Sequence, residues 1–235
     1  MGQCFRIITP VYNAESWIEN CITSVKNQTH QEFTQVIVDD CSTDDTVARA
    51  REIIGADERF HVVVKKQRMG TVHSHKLGVE TLPCDGEDVI VHLDGDDWFS
   101  GDTSLEKVNQ VYESTGCWLT YGSYTTSTGE TSVARKYTNS PRQAVIDGWP
   151  FSHLRTFKRH LWDLLTEDNF RSKGGQPYTA AADVVIFVPI LEKIGYDKVR
   201  FIEDPLVIYN LSHGNNEHKT NLSEQVRNAL DVINK

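Results

Sequence analysis

Two groups of carboxylates are the residues best suited to chemistry. Asp39-Asp40 follows the apolar run Val36-Ile37-Val38, and Asp94-Gly95-Asp96-Asp97 follows Val89-Ile90-Val91-His92-Leu93. Three carboxylates within four residues repel one another unless a cation or hydrogen-bond donors offset the charge. Gly95 keeps the turn free of a side chain, so both flanking carboxylates can approach a bound ion. Oxygen ligands of this kind suit Mn²⁺ or Mg²⁺, which share coordination with substrate phosphates. Asp-rich turns also cap helices and form Asx turns with no ligand at all. For Asp39-Asp40-Cys41-Ser42-Thr43-Asp44 alone that plainer reading is preferred; for Asp94–Asp97 alone the two readings stand level. Their joint occurrence at strand ends favours a site.

The elements that must position these groups alternate from the start. Phe5–Thr9 reads as a buried strand ended by Pro10, and Glu15–Asn27 carries Trp17, Ile18, Cys21, Ile22 and Val25 at helical spacing. Strands follow at Val36–Val38, His61–Val64 and Val89–Leu93. Helices follow at Thr43–Ile54, with Ser42 as N-cap, at Val72–Thr81 and at Ser104–Thr115. This βα alternation predicts an α/β fold: a mainly parallel, twisted sheet with helices on both faces. Ligands of such sheets bind beyond the carboxyl ends of the strands, where both acidic groups lie. After Trp118 the rhythm breaks. Strands are expected at Trp118–Tyr121, Tyr124–Thr131, Val199–Ile202 and Leu206–Tyr209. Helical spacing returns at Lys158–Leu165, Ala181–Ile194 and Asn221–Ile233. The pattern reads as a single domain over 1–235, with a nucleotide-binding half (1–117) and an acceptor-binding half (118–235).

Composition bounds the function. The net charge of −9 disfavours nucleic-acid binding, which depends on Lys and Arg neutralising phosphates. An acidic protein that holds a diphosphate needs a local cation, and a metal ion supplies it. The five cysteines are scattered with no Cys-x-x-Cys pair, which argues for reduced thiols in the cytoplasm and against structural zinc. No apolar stretch is long enough for a transmembrane helix, and Met1–Arg6 lacks the apolar core of a signal peptide.

Taken in order, three stretches resemble the family-2 inverting glycosyltransferases: Ile7-Ile8-Thr9-Pro10-Val11-Tyr12-Asn13-Ala14-Glu15, then Cys21–Thr29 through to Val38-Asp39-Asp40-Cys41-Ser42-Thr43-Asp44, then His92-Leu93-Asp94-Gly95-Asp96-Asp97-Trp98-Phe99 at the family's Asp-x-Asp position. The resemblance covers about the first hundred residues and implies a GT-A (Rossmann-like) fold. It also implies roles. Thr9, Pro10, Val11 and Tyr12 line the base and ribose pocket, although packing under the first helix competes for Val11 and Tyr12. Asp40, with Asp39, hydrogen-bonds the uracil or ribose. Asp94 and Gly95 meet the nucleotide, and Asp96 ligates the metal that holds the diphosphate. Asp97 contacts sugar or metal, with Trp98 beside it on the donor-sugar or acceptor side. After Gly70 the family shows small residues followed by Arg-Asn, whereas this chain places His75 and Lys76 there. The donor's identity therefore stays open, with a UDP-sugar as the expectation.

An inverting transfer needs a base for the acceptor proton, and its transition state is oxocarbenium-like. Asp183, in Thr179-Ala180-Ala181-Ala182-Asp183-Val184-Val185, resembles the family's base at the head of a helix, with Ala182 in place of a preceding acid. The competing role is favourable interaction with the helix dipole, worth roughly 0.3–1 kcal/mol. In the late segment Tyr209–Asn216, His213 coordinates the metal or hydrogen-bonds the diphosphate, or is a surface histidine in a polar turn. Trp149–Phe157 resembles an acceptor-side segment in which aromatics stack on sugars, Arg155 binds an anionic group and His153 reaches the metal; core or lid packing is the alternative.

The expectation is a metal-dependent, inverting hexosyltransferase acting on a glycan, lipid-linked or protein acceptor, and the chain is open to being one domain of a longer polypeptide. Rival readings are a non-catalytic nucleotide-sugar-binding module, which needs no Asp183, and a sugar-phosphate nucleotidyltransferase. The latter would carry a Gly-rich basic loop after the first strand, and Pro10–Glu15 has neither Gly nor Lys. An acid phosphatase would leave the Pro10–Asn13 loop unexplained.

Overall fold

The structure is a computed structural model that describes residues 2–81, 83–132, 134–212 and 222–235. The chain runs β1 (Phe5–Val11), α1 (Ile18–Lys26), β2 (Phe33–Asp39), α2 (Thr46–Ile54), β3 (Phe60–Val64), α3 (Thr71–Thr81), β4 (Val89–His92), β5 (Trp98–Phe99) and α4 (Ser104–Thr115). It continues with β6 (Leu119–Thr126), α5 (Pro141–Ile146), β7 (Ser152–Lys158), 3₁₀ turns at Arg159–Leu164 and Glu167–Phe170, α6 (Ala182–Ile194), β8 (Val199–Tyr209) and α7 (Leu222–Asn234). The strands form one sheet in the order β3-β2-β1-β4-β7-β6-β8-β5, which crosses both halves of the sequence. β1 is parallel to β2 and β4, β2 to β3, and β6 to β8. β7 is antiparallel to both its neighbours, and β5 to β8. The mainly parallel α/β sheet expected from the alternation is the one observed.

Strand periodicity explains the two cores. Phe5, Ile7, Ile37, Val89 and Val91 point to one face and pack with Ile18, Ile22, Ala50, Leu105 and Val108 of α1, α2 and α4. Their immediate neighbours Ile8, Val36, Val38 and Ile90 point to the other face, against Val72 and Val79 of α3 and Ile186, Phe187 and Ile190 of α6. Strands covered on both faces must be apolar at every position, which is why they read as continuous runs. Each fully buried Ile or Phe contributes about 1.5–3 kcal/mol.

Four expectations need correction, and one strand was not foreseen. The strands expected at Trp118–Tyr121 and Tyr124–Thr131 are one strand, β6, which ends at Thr126. The helical spacing at Lys158–Leu165 belongs to the end of β7 and a 3₁₀ turn. β7 itself was not read as a strand, because polar His153 and Arg155 occupy one of its faces. The expected strands Val199–Ile202 and Leu206–Tyr209 are one strand, with irregular pairing near Pro205. Helix α2 starts at Thr46, not Thr43: the Asp44 carboxylate accepts from the Thr46 amide at 3.1 Å, and the Ser42 hydroxyl accepts from the Asn13 amide at 2.9 Å instead of capping.

Candidate active site

The carboxyl ends of β1, β2 and β4 open into a cavity of about 610 Å³. Pro10, Val11, Tyr12, Asp40, His75, Asp94, Asp96, His153, Arg155 and Asp183 all line it. Thr9, Asp39, Gly70, Gly95, Asp97 and Trp98 are not on its wall, and His213 lies outside the described residues. Strand alternation decides between the neighbours. Asp40 continues the parity of Val36 and Val38, and Asp94 that of Ile90 and His92, so both face the α3–α6 side where the cavity lies. Asp39 shares its face with Ile37. Its Oδ2 accepts from the Cys41 and Ser42 amides at 3.2 and 3.1 Å, the turn role weighed for it. Thr9 is buried and accepts from the Gln35 amide group at 2.8 Å.

The Asp94–Asp97 turn is held against β1 by the Gly95 amide, which donates to the Pro10 carbonyl at 3.1 Å. Asp97 is buried beneath it. Its Oδ1 accepts from the Asn210 amide at 2.8 Å, and its Oδ2 has no hydrogen-bond partner among the described residues. Asp94, Asp97 and His153 each offer a ligand atom within 4.8 Å of one another. This two-oxygen, one-nitrogen set fits a divalent cation, and the orphaned Asp97 oxygen fits it further. Asp96 is outside that trio but belongs to the same turn and lines the cavity with Asp94. Burial, then repulsion among the carboxylates, raises Asp97 well above the usual range and Asp94 to about 6. Burial raises Asp96 to about 6. His153 is held neutral by burial and by Arg155, which is the ligand form of imidazole.

Glycine places the next layer. A Cβ on Gly78 would meet Ile8 Cγ2 at 2.4 Å, so α3 lies directly on the sheet there. His75, one turn earlier on the same helix face, is pressed inward. Its ring stacks on His92 at 4.0 Å between centroids, and its Nε2 stands 3.9 Å from Asp94 Oδ1. Burial, then Arg155, drives His75 down to about 3, so it faces Asp94 uncharged. Arg155, on β7, is 8% exposed and sends Nη1 to within 3.5 Å of Asp183 Oδ2. Asp183 occupies the first turn of α6 behind Ala181, whose φ of 62° turns the chain into the helix. Asn228 of α7 fixes the preceding loop by donating to the Ala180 carbonyl at 3.2 Å.

Sequence reasoning missed two features. Lys65 is buried and pairs with Asp40 Oδ1 at 2.5 Å, while the Met69 and Gly70 amides donate to the same carboxylate at 2.8 Å each. Asp40 thus organises the loop before α3 as well as facing the cavity. Arg68 from that loop lies over the Tyr12 ring at 3.7 Å. A lone basic cluster gives no sequence signal for this. The second feature is an apolar wall made by Val145, Trp149, Leu222, Val226 and Leu230. Its i, i+4, i+8 spacing in α7 was legible, but nothing in the spacing says that this face borders a cavity.

Comparison with known proteins follows the same lines. The family model for glycosyl transferase family 2 matches residues 6–176. TuaG of Bacillus subtilis (strain 168), a glycosyltransferase assigned by name to teichuronic acid biosynthesis, is 30% identical over 141 residues, 60% of this chain and 54% of that protein. EpsH of the same organism, likewise a glycosyltransferase by name, is 30% identical over 145 residues, 60% of this chain and 41% of its own. The chain thus spans about half, or less, of the curated relatives it matches. Among solved structures, the Pyrobaculum calidifontis mannosyltransferase PcManGT with GDP-Man and Mn²⁺ aligns at TM-score 0.65 and 19% identity, over 99% of this chain and 63% of that one. Mycobacterium tuberculosis glucosyl-3-phosphoglycerate synthase, with Mn²⁺, UDP-glucose and phosphoglyceric acid, aligns at 0.65 and 18%, over 97% and 79%. S. aureus TarS 1-349 with UDP-GlcNAc aligns at 0.63 and 15%, over 89% and 59%. These neighbours share the GT-A fold, and this chain has it too.

Proposed function

The chain belongs to glycosyl transferase family 2, and from that premise we propose that it moves a sugar from a nucleoside diphosphate, a UDP-sugar, to an acceptor hydroxyl with inversion. The observation that carries this reading is one cavity lined both by Asp94 and His153, two of the three groups that can hold a cation, and by Asp183 beside Arg155. The base and ribose lie against Pro10, Val11, Tyr12 and Asp40, with Gly70 shaping the loop and His75 beneath the donor. Mn²⁺ or Mg²⁺ would be held by Asp96 together with Asp94, Asp97 and His153. His213 follows the segment that Asn210 ties to Asp97 and is kept as a further ligand. When bound, the ion offsets charge growing on the diphosphate, a Lewis-acid contribution of several kcal/mol.

The acceptor oxygen attacks the anomeric carbon as the bond from that carbon to the diphosphate breaks. The diphosphate leaves with the bonding pair, and the hydroxyl proton passes to Asp183. A carboxylate serves as the base when proton transfer comes late, after the alcohol has become acidic; such help is worth roughly 10²–10⁴-fold. Trp149 and the apolar wall of α7 give the acceptor a surface on which a sugar face or an alkyl segment packs. We place the protein in the cytoplasm, in keeping with five free cysteines, and treat 1–235 as one catalytic domain. No helix among the described residues is long and apolar enough to cross a membrane.

The test is calorimetry with UDP and Mn²⁺ together with Mn²⁺-dependent hydrolysis across a panel of nucleotide sugars. Asp96→Ala is expected to lose metal-dependent UDP binding. Asp183→Asn is expected to keep that binding and lose turnover. Normal turnover by Asp183→Asn removes the base assignment.

A further inference from the structure

We propose that Arg155 is the positioning residue of this site: its buried guanidinium fixes the Asp183 carboxylate on the acceptor side and opposes cation binding at Asp94 across the same cavity. The inference rests on the reading of Asp183 as base. Three observations support it. Arg155 lies on β7, opposite His92 of β4, so its backbone sits between the metal-side strand and the acceptor half. Its side chain is almost wholly buried and lines the cavity, yet Nε has no hydrogen-bond partner among the described residues. Its ion pair with Asp183 is made by one nitrogen, Nη1, at 3.5 Å, too long for a bidentate fork.

A buried guanidinium held so loosely is costly unless surrounding carboxylates compensate it. Asp183 from α6, Asp94 from the β4 turn and the rings of His75 and His153 line the cavity with it, His92 lies opposite it on β4, and His75 Nε2 stands 3.9 Å from Asp94 Oδ1. Arg155 therefore acts on the site as a fixed positive charge. When a divalent ion engages Asp94, Asp183 is left as the arginine's partner. That leaves the base oriented when the acceptor arrives. A point-charge contact has a further consequence: lysine at this position keeps the function, whereas a neutral side chain does not.

Metal-free protein is titrated with Mn²⁺ alone, and hydrolysis of UDP-glucose, UDP-GlcNAc and GDP-mannose is followed with water as acceptor. Arg155→Gln is expected to bind Mn²⁺ about three- to tenfold more tightly than wild type, because a repelling charge is gone. Arg155→Lys should stay within about twofold of wild type. In hydrolysis, Arg155→Gln should lose about tenfold or more in kcat with KM little changed, Arg155→Lys should recover most of it, and Arg155→Gln/Asp183→Asn should be no slower than Asp183→Asn. Mn²⁺ binding by Arg155→Gln that is equal to or weaker than wild type overturns the proposal, as does a double variant slower than Asp183→Asn by the full single-variant factor. The titration needs no donor and decides even if no probe is hydrolysed. Wild-type hydrolysis by Asp183→Asn defeats the base assignment instead, and leaves the order of Mn²⁺ affinities to judge Arg155.

Discussion

Replacing Gly95 by alanine tests how the acidic turn is built. A Cβ there would lie 2.1 Å from Val11 Cγ1 and 3.1 Å from the Pro10 carbonyl oxygen. Carbon atoms in good contact sit about 3.5–4.0 Å apart, so roughly 1.5 Å of overlap must be relieved. Val11 cannot yield easily: it is buried at the end of β1, which is flanked by β2 and β4. The turn must move instead, breaking the 3.1 Å bond from the Gly95 amide to Pro10. Overpacking of this kind costs about 1–3 kcal/mol, and each kcal/mol lowers Tm by about 2–4 °C in a chain of this size. A displacement near 1 Å is enough to cost about 10²-fold in turnover. Thermal melts and Mn²⁺ calorimetry read both effects. Gly101→Ala is the control, since its Cβ would meet nothing within 4 Å. Val11→Ala in the Gly95→Ala background removes the clashing methyl, so the double variant should be less destabilised than the two singles added. If Gly95→Ala melts within about 1 °C of wild type and binds Mn²⁺ equally well, the packing argument fails.

Two other predictions concern buried titratable groups. Asp94 and Asp96 are each raised to about 6 in the fold. Below the unfolded carboxylate value their contribution to stability is fully present, and it is lost as pH rises through about 6. The melting temperature of metal-free wild type should therefore fall relative to Asp94→Asn/Asp96→Asn as pH is raised from 4 to 7, and saturating Mn²⁺ should abolish the fall; a constant difference across that range refutes it. His92 is buried with neither ring nitrogen hydrogen-bonded among the described residues, against His75, Phe157 and Phe187. His92→Leu removes that unsatisfied polar ring and should raise stability by about 1 kcal/mol in denaturant titration; a loss of similar size would mean the ring nitrogens are paired.

The parallel core was legible because strands covered on both faces leave an unbroken apolar signal, as at Val36–Val38 and Val89–Val91. The acidic turn was legible because chemistry there is concentrated in four adjacent residues. β7 was not, since the polar His153 and Arg155 that serve the site disrupt the apolar pattern of the strand carrying them. The choice of Asp40 over Asp39 follows from strand parity, which the sequence states only once the boundaries of β2 are fixed. The Lys65–Asp40 pair and the approach of Asp94, Asp97 and His153 join residues from separate strands and loops. No local pattern encodes those meetings, and only the sheet order brings them about.

The most direct measurement is the manganese anomalous signal in crystals of this chain grown with Mn²⁺ and UDP. A peak bonded to carboxylates of the Asp94–Asp97 turn and to the diphosphate, with Asp183 across the cavity, is the predicted result. Manganese bound elsewhere, with UDP absent from the ends of β1, β2 and β4, would contradict the account.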